Sequence, residues 1–307
     1  MKKLFNIMLF ALFSSLLFAQ KCELPMAVII SNEANITASS RDMLDARLRQ
    51  IITSKGVSAG SSNFQFAIFA NPILSSKDII ASAPTQISQE VELVIGIADL
   101  YNQRIFSTEI ITLRGIDRSE EKAFISAIKT LNAKNIQLSN LVEKSQKEII
   151  EYYDNNADFI LKEAKSLSSL HQYEKALFSL IQIPTCCKHY NKVMDEAIKI
   201  YNDYVNYDCE VALLQAKNLW AAEPTESNAI YVIDLLSTIN PRSECSKDVE
   251  TFIQEVKKQV RSDIDFETRE KYHDEVKLKT LAIEAIQKVG VAFGNNQQPT
   301  TTNWLFK

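Results

Sequence analysis

Strand-forming patterns stop near residue 113, and from there on the chain reads as helix alone. Dense β-branched and aromatic runs occur only between residues 26 and 113. From Leu138 to about Val289, apolar residues recur at helical spacing and no strand signal competes. A sheet buries one face and a helix one stripe, so segregated elements build an α+β chain rather than one alternating layer. The expected architecture is a small α/β domain of order β-α-β-β-β-α, then an all-α helical-repeat region and a long C-terminal helix.

Within the first stretch, Met26-Ala-Val-Ile-Ile30 reads as a buried strand. Met43, Leu44, Leu48, Ile51 and Ile52 mark a helix, with Ser39 or Ser40 as its N-cap. Phe64 to Phe69 reads as a second strand closed by Asn71-Pro72, and a polar stretch with Pro84 follows. Val91–Ala98 and Arg104–Leu113 form a hairpin across Tyr101-Asn102-Gln103. Ser119-Glu120-Glu121 opens a helix whose acids suit its dipole, with Ala123, Phe124, Ala127, Ile128 and Leu131 as the apolar stripe.

The first 20 residues set the compartment. Met-Lys-Lys, an apolar run from Leu4 to Phe18 and the small Ala19 read as a secretory signal peptide. The run is too short to span a bilayer. Cys22 follows, but Gln20-Lys21 do not suit a lipobox, so simple cleavage near Ala19 or Gln20 is expected. Cleavage removes two lysines and takes the net charge from −4 to −6, which disfavours nucleic acid as a partner. No second long apolar run predicts a transmembrane segment. The chain has only 6 glycines, without a Gly-rich phosphate-binding motif. Five cysteines in an exported chain predict disulfides and leave at least one unpaired within the chain.

The helical stretch carries an internal similarity. Glu163-Ala-Lys-Ser-Leu167 matches Gln215-Ala-Lys-Asn-Leu219, and Ile183-Pro184 matches Asn240-Pro241. Two three-helix units result, about 157–170, 171–183 and 187–203, then about 207–221, 226–239 and 245–261. Ala164 and Ala216 take equivalent, closely packed places. Cys209 and Cys245 would start the fourth and sixth helices at one end of the stack, within bridging reach. The last helix is expected over about 264–289, stopped by Gly290-Val-Ala-Phe-Gly294. The expected domains are 1–20 signal peptide, 21–138 α/β domain, 139–263 repeats, and 264–307 helix and tail.

Three resemblances accompany these residues. The β-α-β-β-β-α order resembles the small α/β domains of CsgG-like and TolB amino-terminal domains of bacterial envelope assembly. His171-Gln-Tyr-Glu-Lys-Ala-Leu177 resembles the turn and second helix of a tetratricopeptide repeat, without that family's tryptophan and glycine. The whole mature chain, through Gly115–Phe124, the paired Pro/Cys units and Gly290–Gln297, resembles a set of exported bacterial proteins of unknown function. These resemblances imply architecture and no activity.

Candidate chemistry is sparse. Cys186-Cys187-Lys188-His189 is the one ligand-like cluster, and it lacks the paired spacing of a zinc site. His171, His189 and His273 lie in polar helical contexts, as surface residues. Glu120-Glu121 and Asp263 with Asp265 are accounted for by helix starts and solvated faces. No catalytic residue, metal or cofactor is expected. Tyr152, Tyr153, Tyr201, Tyr204 and Tyr207 could line a groove, though helical spacing also suits core. Trp304 and Phe306 end a polar tail, and such an anchor folds back or docks on a partner, with folding back as the expected resting state.

The function that fits is a non-enzymatic scaffold or adaptor for a protein partner at the bacterial cell envelope, exported to periplasm or surface. Its binding candidates are Tyr201, Tyr204, Trp220, Trp304 and Phe306, with Cys209 and Cys245 as the disulfide pair. The alternatives are an envelope-polymer hydrolase with paired acids in the α/β domain, and a subunit of a secreted oligomer joined through the terminal helix.

Overall fold

The computed structural model describes residues 24–32, 34–55, 64–132, 134–260, 275–297 and 302–306. The signal-peptide stretch, Cys22, Asp263, Asp265 and His273 lie outside the described residues. The chain divides into two compact units: 1–151 with 184–187 and 299–307, and 152–183 with 188–298. The first thus takes residues 139–151 together with the sheet.

In the first unit, strands β1 (Met26–Ile30), β2 (Phe66–Ile80), β3 (Gln86–Asp99) and β4 (Arg104–Asp117) form one sheet in the order β1-β2-β3-β4. β1 runs parallel to β2, and the rest is an antiparallel meander. Helices α1 (Ala38–Ser54) and α2 (Glu120–Thr130) complete the expected β-α-β-β-β-α order, and the chain is α+β. Alternate residues of β3 split its two faces. Val91, Leu93, Ile95 and Ile97 are fully buried, and Gly115 on neighbouring β4 approaches the backbone of α2 at Ala123 and Ala127 so closely that a side chain has no room. The opposite face carries Phe69 and Ala98, which pack with Leu305 near the chain's end.

Local chemistry accounts for the punctuation. Asp99 accepts from the backbone N–H groups of Tyr101 and Asn102, both at 3.0 Å, and closes the β3–β4 turn. Ser119 caps α2 with the acids Glu120 and Glu121 in its first turn. The cap of α1 is Thr37, not Ser39 or Ser40, because the helix begins at Ala38 and both serines lie inside it. Pro72 does not close β2, which runs on to Ile80. Ser31 N–H donates to the Ala70 carbonyl at 3.0 Å, and backbone groups two residues apart face the same way. Pro72 nitrogen therefore faces the β1 side, where β1 has already ended and a missing N–H costs no ladder bond.

The first part of helix α3 (Ile136–Ser169) belongs to this unit. Leu138, Leu141, Val142 and Ile149 are buried, Lys55 pairs with Glu143 at 3.1 Å, and Ser107 donates to Glu148 at 2.8 Å.

The second unit holds the rest of α3, then α4 (Tyr173–Ile181), α5 (Tyr190–Ala222), α6 (Glu226–Ser237), α7 (Ser246–Val260) and α8 (Glu275–Gln297). The helices expected at 187–203 and 207–221 are one continuous α5. Nothing between them breaks a helix: Tyr204-Val-Asn206 contains neither glycine nor proline, and Val205 is buried. The helix expected to stop at Gly290 continues to Gln297. Gly290 and Gly294 form a seam instead. A Cβ at Gly290 would come within 2.5 Å of Ile181 Cδ1, and one at Gly294 would collide with the Phe178 ring.

The connections into α5 and α7 share backbone hydrogen bonds at an offset of 56. Ile183 N–H donates to Leu180 carbonyl (3.3 Å) as Ile239 does to Leu236 (3.2 Å). Cys187 donates to Pro184 as Ser243 does to Asn240, both at 3.0 Å. Pro184 therefore corresponds to Asn240, and the expected match of Ile183-Pro184 to Asn240-Pro241 is out by one residue.

That offset also places His189 opposite Cys245. His189 Nδ1 lies 3.2 Å from Asp154 Oδ1 and ties the start of α5 to α3. Cys245 is disulfide-bonded to Cys209, with Cα atoms 6.2 Å apart, and ties the start of α7 to α5. Cys209 lies in the middle of α5 rather than at a helix start. The pair still meets because α6 turns the chain back and α7 then runs beside the second half of α5.

Candidate functional site

An aromatic groove of about 420 Å³ opens in the helical unit. Tyr204, Tyr207 and Val211 line up at i, i+3 and i+7 on one face of α5 and supply one wall. The opposite wall comes from the turn between α3 and α4. His171 there has φ 57°, and this left-handed bend turns its ring onto Tyr207. The two rings stack with centroids 4.6 Å apart and 16° between planes. His171 Nδ1 lies 3.0 Å from the Tyr173 hydroxyl. Tyr173 packs tilted against Tyr204 at 5.8 Å and Tyr207 at 5.6 Å. Phe293 of α8 closes the end.

The rim is acidic. Burial first, then Asp203, pushes the Tyr173 hydroxyl above its ordinary value. Burial, followed by Glu174 and Asp208, does the same for Tyr204. Both hydroxyls therefore stay protonated at neutral pH. Glu174, Lys175 and Asp208 line the groove itself. The arrangement presents flat, polarizable faces bordered by carboxylates, which suits an aromatic or aliphatic side chain near a cation.

The sequence candidates fall in different places. Tyr204 lines this groove and Tyr207 with it. Tyr201, one turn earlier, is half-buried, and its hydroxyl lies 3.4 Å from Asn240 Nδ2. Trp220 is not on a binding face. It is 8% exposed, packs in the α5–α6–α7 core, and donates through Nε1 to Gln259 at 3.1 Å. A tryptophan so enclosed has no surface to offer. Tyr153 is likewise core, 1% exposed. Residue-type reasoning missed His171, Tyr173 and Phe293. Only the positive φ at His171 turns a residue in a polar stretch into a wall of the groove.

In the first unit, Asn303–Phe306 forms a single 3-10 turn against the sheet. Phe306 meets Phe69 edge-on at 5.9 Å, and Trp304 is half-buried. The tail is folded back, and its deepest residue is Leu305, 4% exposed, between the two aromatics named from sequence.

The Cys186–His189 stretch is dispersed among separate contacts. Cys186 is disulfide-bonded. The Cys187 thiol is buried, 3.8 Å from the Ile150 carbonyl, and His189 faces Asp154. Among the described residues no group of three or more His, Cys, Asp and Glu could hold a metal ion, and no helix is long and apolar enough to cross a membrane.

No protein-family model matches the chain, and no curated protein matches it. Among solved structures it is similar to a minor lipoprotein from Acinetobacter baumannii, at 13% identity over 39% of this chain and 94% of that one, with a TM-score of 0.29. A superposition at that score carries no argument about this chain.

Proposed function

We propose that this protein is an exported, non-enzymatic adaptor that holds a protein partner at the bacterial cell envelope, with the Tyr204–Tyr207 groove as its docking site. The observation that carries the reading is the groove's chemistry. Stacked and tilted rings beside Glu174 and Asp208 fit a partner segment with an apolar anchor next to a lysine or arginine. Export is supported by the signal-like start and by the Cys209–Cys245 disulfide, a bond that persists in oxidising compartments.

The hydrolase alternative draws on Glu120 and Glu121 at the start of α2. A general acid needs a carboxyl pKa raised toward the working pH. Hydrogen bonds from Ser39 and Thr37 instead hold Glu121 below its ordinary value. That direction leaves Glu121 unsuited to the general-acid role.

Site-specific photocrosslinking in intact cells tests the proposal. A crosslinker at position 207 should trap one dominant envelope protein, and one at exposed Lys165 should not. Asp208→Lys combined with Tyr204→Ala should abolish the crosslink. Equal yields from both positions, or a crosslink indifferent to that double change, refute it.

A further inference from the structure

A second concave site lies in the sheet unit, where β1 ends at Ile30 and β2 runs on alone. The cleft there has a volume of about 660 Å³. Asn71 to Leu74 of β2 form one side. The segment from Ala34 to Ser40 forms another, and the first turn of α2 with Phe124 forms the third. Pro72, Ile73, Leu74, Ile36 and Phe124 make most of the surface apolar.

Two of its polar groups, Gln89 and Glu121, are acceptors set for a donor. Gln89, on the helix-covered face of β3, is 3% exposed, and its Oε1 is buried without a hydrogen-bond donor. Buried acceptors in folded proteins are almost always satisfied, so an unpartnered one on a residue that lines a cleft points to a donor supplied from that cleft. Glu121 is the second acceptor. Thr37 donates to it at 3.0 Å and Ser39 donates to the same oxygen, which fixes the carboxylate in place. The neighbouring Glu120 is already paired with Lys77 at 3.0 Å. Among the described residues no lysine, arginine or histidine lines the cleft, and the cation that acts on Glu121 is Lys122, next to it in sequence and outside the lining. The starts of α1 and α2 both point here, but Thr37 and Ser119 already cap them. An anion would therefore meet a fixed negative charge.

We propose that this cleft is a binding site for a primary alkylammonium group, with the ammonium donating to Gln89 Oε1 and the Glu121 carboxylate and the alkyl stem lying on Pro72, Ile73 and Phe124. A free amine and a lysine side chain share that chemistry. The site lies in a different unit from the aromatic groove and does not depend on it.

The test titrates full-length mature protein with n-pentylamine, in its ammonium form, and follows backbone amide shifts. Nα-acetyl-lysine methylamide, pentanoate and pentanol serve as parallel probes. Pentylammonium should bind in the millimolar range and move the amides of Ser40, Gln89 and Glu121, and pentanoate should not. Glu121→Gln, a surface change that leaves the core intact, and Gln89→Leu should each weaken binding about tenfold, the loss expected for one charge-assisted hydrogen bond. Glu143→Gln, at the separate Lys55 pair, should leave binding unchanged. Tighter binding of the lysine probe than of the free amine identifies a peptide as the source, and the reverse identifies a small amine. The proposal is overturned if pentylammonium causes no shifts at tens of millimolar, if pentanoate or pentanol binds equally well, or if Gln89→Leu binds undiminished, which would assign the amide to a water alone.

Discussion

Replacing both Cys209 and Cys245 by alanine should cost the helical unit most of a chain-entropy term. The bond joins residues 36 apart in sequence. Closing a loop of that size restricts the unfolded chain by about 4 kcal/mol at 25 °C. The folded side of the balance changes less. Around the bond, Ala212, Leu213, Ala216 and Trp220 of α5 pack on Val232, Ile233 and Leu236 of α6 and on Val249, Phe252, Ile253 and Val256 of α7. That cluster should hold the native arrangement without the bond. Alanine is preferable to serine, because Cys209 is fully buried and a hydroxyl there would add an unsatisfied group. For a unit of this size, about 3–4 kcal/mol corresponds to a fall of about 10 °C in melting temperature. The equivalent place in the first connection is the half-buried His189–Asp154 contact, so Asp154→Ala should cost only about 1 kcal/mol. Thermal melts of the oxidised protein, the double-alanine variant and Asp154→Ala compare the two staples directly. A double-alanine variant that melts with the oxidised protein would show that the loop is not closed in solution. Peptide mapping that pairs Cys209 with Cys186 or Cys187 would refute the stacking of α7 on α5.

Three further outcomes follow from individual contacts. Gly294→Leu should destabilise by about 1–3 kcal/mol through collision with Phe178, against a gain of roughly 1 kcal/mol in helix propensity, and Gln287→Leu on the exposed side of α8 should be near neutral in urea melts. Leu305→Ala should cost about 2–3 kcal/mol and shift Trp304 emission to longer wavelength in a Trp220→Phe background, and unchanged emission would mean the tail is not seated. Glu121 has a folded pKa below its ordinary 4.5, so its stabilising contribution is present above that value and lost as pH falls through the lowered one. Glu121→Gln should therefore flatten the acid-side fall in denaturant midpoint below about pH 4.5, and an identical acid limb in both proteins would remove the Thr37–Ser39–Glu121 clasp from the account.

The elements whose chemistry is local could be read from sequence. The β3–β4 hairpin, the Ser119 cap and the stripe Ala123 to Leu131 need only neighbours within one turn or one strand. Pro72 and Gly290 could not be placed that way. Whether a proline ends a strand depends on whether its N–H would have met a partner, and that depends on β1 stopping at Ile30. Whether a glycine ends a helix depends on what stands opposite, and Phe178 and Ile181 lie more than a hundred residues away.

The two tryptophans make the same point at the candidate sites. Trp220 continues the buried series Cys209, Leu213, Ala216 on α5, spaced by three and four, so its enclosure was legible from helical period and was obscured by weighing residue type instead. Trp304 has no such period to read, because a polar tail precedes it and the sheet face that receives it is assembled from β2 and β3. The groove is harder still, since it joins residues 171–175, 204–211 and 293. Its one local cue is His171. A non-glycine residue held at φ 57° bends the chain so that Tyr173 can reach Tyr204 and Tyr207. His171→Gly should keep that bend and remove the ring, while His171→Val should oppose the bend itself. If the crosslink from position 207 survives the glycine variant and fails in the valine variant, the backbone turn builds the site. If both variants lose it, the imidazole itself is part of the surface the partner touches.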